Sequence, residues 1–330
     1  MSNLSQSQNN TILYKINYIL NRIIPITTPL AVAIGFLLPD VFKHLRPYVP
    51  WLFAMMTFSG ALKLKVTELG NAVKNPVPIF LFFFTSHVIM PVAALLSSST
   101  FFTNTDIITG FIILFAGPTA VSGFIWVIIF KGDKALGLTL LLLDTILAPI
   151  IVPVTVFILM GANVSMEWSG IALSLFLMIV VPTIIGVTIN ETSKGKIPEV
   201  ICPAFDPFSK ICLMTVVAAN SSAIAGNIQF SDPLVWKTAV LCIVLTLIGF
   251  LLARFNGIIG KFSGEKTASL VFAGGLRNNS AVMTIAVTFF PELTVLPTLL
   301  SIIFQQSIAA FMGRIFLKKN EELEIKKAEN

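Results

Sequence analysis

Ten apolar runs, separated by charges or by Pro and Gly clusters, take up most of the 330 residues and leave this chain few ways to fold. They lie near 24–42, 49–64, 77–98, 107–130, 135–160, 168–189, 207–227, 234–254, 267–290 and 294–316. A helix of about 20 apolar residues crosses the hydrocarbon core of a bilayer, so ten of them use roughly 200 residues. What remains makes short loops and two tails, with no room for a separate soluble domain. Only 12% of the residues are charged, against about 25% in a soluble domain, which excludes an ordinary soluble enzyme. The expected fold is an all-α polytopic membrane protein with ten transmembrane helices.

Charge placement supplies the orientation. With both tails on one side, eighteen of the 22 Lys and Arg residues fall there, from Lys15 and Arg22 to Lys326 and Lys327. Lys43, Arg46 and Lys237 fall on the other side, and Arg277 is left inside the membrane. Cytoplasmic loops carry the excess of Lys and Arg, so both termini are expected in the cytoplasm of a cell-membrane protein. The tips near Ser99 and Asn163 then lie outside. The same rule accounts for the net charge of +6 without invoking nucleic acid. Residues 1–23 read as an N-terminal cytoplasmic or interfacial segment, with the amphipathic stretch Ile12–Ile23 along the surface. No small-residue cleavage site follows a short apolar core there, so the segment reads as retained. Residues 317–330 read as a cytoplasmic tail.

Two of the runs are interrupted. The fourth contains Ala116-Gly117-Pro118-Thr119-Ala120-Val121-Ser122-Gly123, and the ninth contains Ala273-Gly274-Gly275-Leu276-Arg277-Asn278-Asn279-Ser280. Gly, Pro and Asn break an apolar helix and free its backbone groups, which is tolerated at that depth only inside protein or along a water-filled cavity. The breaks occupy matching places in two halves of five spans, 24–160 and 168–316. An odd number of spans per half requires opposite orientations, the mark of an inverted repeat. In such transporters the broken helices meet near the midplane and form the substrate site. Ordinary packing kinks are the other reading.

Polar residues inside the runs point to the same place. A mid-membrane Arg costs about 2.5–3.5 kcal/mol on insertion scales, so Arg277 calls for a partner or a ligand. Asp144 is the acidic residue placed mid-span. An ion pair with it is one reading of Arg277 and an anion anchor or fixed positive charge is the other, and the two are compatible if the pair opens when an anion competes. Asn278, Asn279 and Ser280 either bind a carboxylate or rebuild hydrogen bonding in the break, and Pro118, Thr119 and Ser122 line the opposite break. Asn220, with Ser221 and Ser222, lines the cavity or bonds between helices, as do Gln305 and Gln306. His87 either carries protons or is hydrogen-bonded within the bundle. Cys202, Cys212 and Cys242 fit no ligand spacing, so neither a disulfide framework nor a zinc site is indicated. No Walker loop, GxGxxG, HExxH or GxSxG occurs, and no cofactor or nucleotide-driven transport is expected.

The chain also resembles the bile acid:sodium symporter family over nearly its whole length. The resemblance runs through Phe36-Leu37-Leu38-Pro39-Asp40-Val41-Phe42-Lys43, Pro47-Tyr48 and Trp51-Leu52. It continues in Met56-Thr57-Phe58-Ser59-Gly60-Ala61-Leu62-Lys63-Leu64-Lys65, similar to the family's "MFGMGLTLK", and in Ile89-Met90-Pro91. Pro118, Gly132-Asp133, Ala135-Leu136 and Pro149 follow in register, and Gly275-Leu276-Arg277-Asn278 is similar to "GMQN". The resemblance implies a four-helix panel and a six-helix core, with spans four and nine crossing in the core. It also implies two sodium sites, but the family's ligand positions correspond here to Ser86, Gly123, Phe124, Gly137, Leu141, Ala273 and Arg277. Nearly every side-chain oxygen is gone, and the expected metal set is none.

These readings converge on a secondary active or facilitative transporter of a small or amphipathic organic anion, working by alternating access. Sodium coupling is expected to be absent and proton coupling through Asp144 is open. One alternative is a sodium-coupled, bile acid-like symporter that uses backbone carbonyls. Others, of a different class, are a non-transporting membrane sensor and an intramembrane enzyme built on Asp144 or His87. The enzyme needs paired catalytic groups on adjacent helices. Substrate identity and oligomeric state stay open.

Overall fold

A computed structural model describes residues 19–20, 23, 26–64, 75–161, 167–226 and 231–328. The surface stretch Ile12–Ile23 for the most part, Lys65 and the tip at Asn163 lie outside the described residues. Among the described residues the chain is helical, with no strand beyond one isolated bridge. Six helices are long and apolar enough to span a membrane, or seven if the bent pair Ile26–Leu37 and Pro39–Ala61 counts as one. The protein is a multi-pass membrane protein. Its contacts divide into two units, residues 1–67 with 173–227, and residues 68–172 with 228–330.

The first unit contains α1 (Ile26–Leu37), α2 (Pro39–Ala61), most of α7 (Ser169–Ser193) and α8 (Lys196–Ser221). The 96° bend between α1 and α2 falls at Leu38-Pro39, where proline cannot continue the hydrogen-bond ladder of the helix before it. α1 meets α8 so closely that a Cβ on Gly35 would lie 2.1 Å from the Ala218 carbonyl oxygen. Small residues allow such approach between membrane helices. The Asn190 side chain donates to the Leu64 carbonyl at 2.9 Å, and Lys63 pairs with Asp206 at 2.6 Å. The helix expected from residue 207 begins instead at Lys196 and carries Pro203 and Pro207 inside it. The first-turn Pro198 shows why the start lies earlier, since an N-terminal turn has no N–H bond to lose.

The second unit contains α3 (Pro76–Phe101), α4 (Thr105–Ala116), α5 (Val121–Ile129) and α6 (Lys134–Met160). It continues with α9 (Pro233–Ile259), α10 (Gly264–Gly275), α11 (Asn279–Phe289) and, after a 3₁₀ turn at Glu292–Val295, α12 (Leu296–Ala328). Asn75 caps α3, Asn104 caps α4 and Asp133 caps α6, each accepting from a first-turn amide. Within α3, Thr85–Ile89 form a π-turn. Pro91 sits four residues after His87, and its ring displaces the carbonyl an α-turn would place there, which widens the helix at that point. The second π-turn, Phe176–Val180 in α7, precedes Pro182 in the same way.

Both expected breaks are present. The fourth run forms α4 and α5 with Gly117–Ala120 unwound, and the ninth forms α10 and α11 with Leu276–Asn278 unwound.

Candidate functional site

The two unwound segments meet. Thr119 and Arg277 form an antiparallel bridge, in which the Ala120 amide donates to the Leu276 carbonyl at 3.1 Å and the Asn278 amide to the Pro118 carbonyl at 2.7 Å. The Thr119 hydroxyl adds bonds to the carbonyls of Ala273 and Leu276, at 2.6 and 3.1 Å. Each break thus satisfies the backbone groups freed in the other, which is what makes irregular backbone affordable in an apolar interior. Pro118 and Thr119 are buried in this bridge.

Arg277 is 4% exposed. Its guanidinium donates to the Gly117 carbonyl at 3.3 Å and to the Ser86 carbonyl at 3.2 Å, tying both breaks to the π-turn of α3. The contact ion pair with Asp144 is not formed, since among the described residues no carboxylate lies within 4.0 Å of Arg277. Asp144 instead accepts the Thr119 amide at 2.7 Å through Oδ2 and faces His87, whose Nε2 is 2.7 Å from Oδ1. That approach is a close polar contact rather than an aligned hydrogen bond. The widened turn of α3 carries His87 to α6, and a regular-helix reading of the sequence could not show that reach.

The remaining polar residues separate by role. The Asn278 side chain caps α11 by accepting from the Ala281 amide at 3.2 Å, so of its two readings the structure shows the capping one. Asn279 donates to Ser301 at 3.0 Å and to Gln305, and Gln305 donates to the Arg277 carbonyl at 2.9 Å. Ser301 gave no earlier signal beyond standing four residues before Gln305. Ser122 accepts from Gln306 at 3.0 Å, and Gln306 accepts from the Trp126 indole at 2.8 Å. Ser280 is half-buried, and its carbonyl accepts from Thr284. Asn220 belongs to the first unit, buried near the end of α8 beside Ser221 and Ser222, and Ser222 accepts from Arg46 at 3.2 Å.

The positions that the resemblance sets against sodium ligands carry few side-chain oxygens and are closely packed. Ala273 sits in a buried cluster with Phe82, Leu136, Leu140 and Leu270. A Cβ on Gly123 would approach the Phe272 carbonyl oxygen to 3.0 Å, and one on Gly137 would meet the Val127 side chain at 3.1 Å. Leu141 is buried and Phe124 packs against the aromatic cluster around Phe272. Ser86 keeps a hydroxyl, buried and without a hydrogen-bond partner among the described residues. One oxygen does not make a cage for a hard cation. Among the described residues no group of three His, Cys, Asp or Glu stands close enough to hold a metal ion.

Gly275 is a tight point. A Cβ there would lie 2.4 Å from the Phe250 ring, so Gly275→Leu is expected to destabilise by about 1–3 kcal/mol through overpacking. A lowered unfolding temperature in detergent checks this. An unchanged temperature would show that Phe250 swings aside freely.

Residues 49–230 match the Sodium Bile acid symporter family. The chain is 37% identical over 290 residues to the uncharacterized protein YbaS of Bacillus subtilis (strain 168), covering 88% of this chain and 95% of that one. It is 19% identical over 308 residues to the uncharacterized sodium-dependent transporter YocS of the same organism, covering 93% and 95%. It is also 21% identical over 293 residues to the probable sodium/metabolite cotransporter BASS2, chloroplastic, of Oryza sativa subsp. japonica, covering 88% and 68%. With its family match, the crossed breaks and the apolar helices around them, the chain belongs to the sodium bile acid symporter family of membrane transporters.

Proposed function

We propose that this protein is a secondary transporter of a small or amphipathic organic anion, moving by alternating access around the crossing of the two breaks. The observation that carries the reading is Arg277, a buried cation within the bridge whose guanidinium is held by two carbonyls and no carboxylate. No carboxylate among the described residues touches its guanidinium, so an anion reaching the crossing would not have to displace a contact ion pair. The half-helices α5 and α11 begin at the crossing, and helix N-termini favour negative charge. On this reading each broken pair is one span and α1 and α2 are two, which makes ten spans in two inverted halves with both termini cytoplasmic.

Arg277 stands at one of the positions where the family holds sodium, as the resemblance implies. Its covalently attached charge would do the electrostatic work of a bound cation, and a fixed charge cannot be driven by a gradient. The reading is therefore sodium-independent. The sodium-coupled alternative draws support from the names of YocS and BASS2. It would have to rely on backbone carbonyls, and those of Gly117, Ser86, Ala273 and Leu276 already accept hydrogen bonds from Arg277 and Thr119. The structure does bring His87 and Asp144 together, which the intramembrane-enzyme reading required. Membership of a transporter family favours transport over that chemistry.

Uptake of a panel of radiolabelled organic anions into proteoliposomes tests the reading. Saturable uptake of at least one anion is expected, and none across mono- and dicarboxylates and steroidal anions would refute it. For topology, single cysteines in a background lacking Cys202, Cys212 and Cys242 should label from outside at positions 99 and 163. External labelling at position 195 instead would reverse the orientation and remove the inverted-repeat argument.

A further inference from the structure

Two titratable side chains at the crossing have no part in holding an anion. His87 and Asp144 lie 2.7 Å apart with side chains 5% and 0% exposed. We propose that they form a proton-binding site, with His87 taking up one proton at Nδ1, and that this proton travels with the anion. The site itself stands on the geometry, and only its coupling to an anion rests on the function proposed above.

The chemistry follows from the contacts. Nε2 is turned to the Asp144 carboxylate, so Nδ1 is the ring nitrogen left to accept or release a proton, and it has no hydrogen-bond partner among the described residues. When Nδ1 binds a proton, a neutral imidazole becomes an imidazolium beside a carboxylate that stays ionised. When it releases that proton, the original charge returns. The Phe83 ring stacks on the imidazole at 5.5 Å and the Phe82 ring meets it edge-on at 6.3 Å. A ring face stabilises a cation placed over it.

Counting charges links the proton to the anion. With His87 neutral, Arg277 and Asp144 cancel. With His87 protonated, the three groups carry one net positive charge in a buried site, which is costly unless compensated. A monoanion at the crossing restores neutrality, so proton and monoanion each favour the binding of the other. The contacts also reach the moving parts. Asp144 holds the Thr119 amide of the first break, and Arg277 of the second break holds the carbonyl of Ser86, next to His87 in the π-turn. Among the described residues, Arg277 is the charged group beside the pair, and the other charges on the helices packed around it lie farther off. Those helices carry Asp106, Lys134, Lys237, Arg254, Glu265 and Lys266, all exposed or half-buried and at or near helix ends.

The chain contains two histidines, and the other, His44, is exposed in the first unit. Full-length His44→Gln protein with ¹⁵N-labelled imidazole, reconstituted in lipid, therefore reports His87 alone. Its nitrogen resonances, followed from about pH 8 down to about pH 5, are expected to show proton uptake at Nδ1, and to do so differently in Asp144→Asn. Resonances that stay fixed across that range would overturn the proton site, whether or not the Asp144 variant folds. In proteoliposomes, an inward proton gradient should speed uptake of a transported monoanion several-fold in the native protein and not in His87→Gln. A titrating His87 with uptake indifferent to the gradient would overturn the coupling. A titrating His87 with no uptake of any panel anion would reject the organic-anion function while supporting the proton site.

Discussion

Changing Arg277 to Gln is expected to abolish anion uptake while leaving a folded protein. Gln keeps a donor for one of the two carbonyls that the guanidinium now serves, those of Gly117 and Ser86, so the bridge between the breaks can persist. What disappears is the charge. Truncating one partner of a buried, hydrogen-bonded charge contact costs about 2–5 kcal/mol, and each 1.4 kcal/mol is about tenfold in affinity. Anion affinity should therefore fall by roughly thirty-fold to several thousand-fold. Uptake within threefold of the native protein, at equal protein density in the vesicles, would remove Arg277 from the site.

Changing Asp144 to Ala is expected to be the most destabilising single substitution at the crossing. The carboxylate is fully buried, holds the Thr119 amide at 2.7 Å and faces His87. Its loss leaves a buried amide without its acceptor and removes the buried negative charge nearest Arg277. Breaking a buried pair by removing one partner costs about 3–5 kcal/mol. Unfolding in detergent, followed by thiol exposure at the buried Cys242, should begin well below the native temperature. The exposed Lys237→Ala variant serves as the control and should not move it. An Asp144→Ala protein as stable as the control would mean that the carboxylate carries no structural load. Asp144→Asn should fall between, since its amide oxygen can still accept from Thr119.

What was legible in the sequence, and what was not, follows from the range of the interactions involved. The two breaks were legible because Gly117-Pro118 and Gly274-Gly275 interrupt apolar runs locally, and helix-breaking acts within a turn. Arg277 was conspicuous for the same reason, as a charge far from either end of its run. The start of α8 was misplaced because the apolar run begins only near residue 207, whereas the helix begins at Lys196 and carries Glu199, Pro203 and Asp206 before it. The partner of Asp144 was assigned to the wrong residue. Opposite charge pointed to Arg277, whereas the observed partner depends on a π-turn in α3 that moves His87 off the regular helical face. Asn278 and Gln305 could be recognised as polar residues inside the bundle. Their roles as a cap of α11 and a brace on the Arg277 carbonyl depend on three segments converging, which no local pattern encodes. The division into two units was available only through the family resemblance, because each unit is assembled from two separate stretches of chain.

The central claim is that a fixed arginine stands where the family places a mobile cation. The most direct measurement is uptake of a transported anion into proteoliposomes with an inward sodium gradient, compared with an equal potassium gradient at the same pH and membrane potential. Equal initial rates in the two salts are predicted, because Ala273, Gly123 and Gly137 bring no side-chain oxygen and the carbonyls of Gly117, Ser86, Ala273 and Leu276 already accept hydrogen bonds. Saturable stimulation by sodium of tenfold or more, with potassium inert, would contradict the account and return the protein to sodium coupling through its backbone.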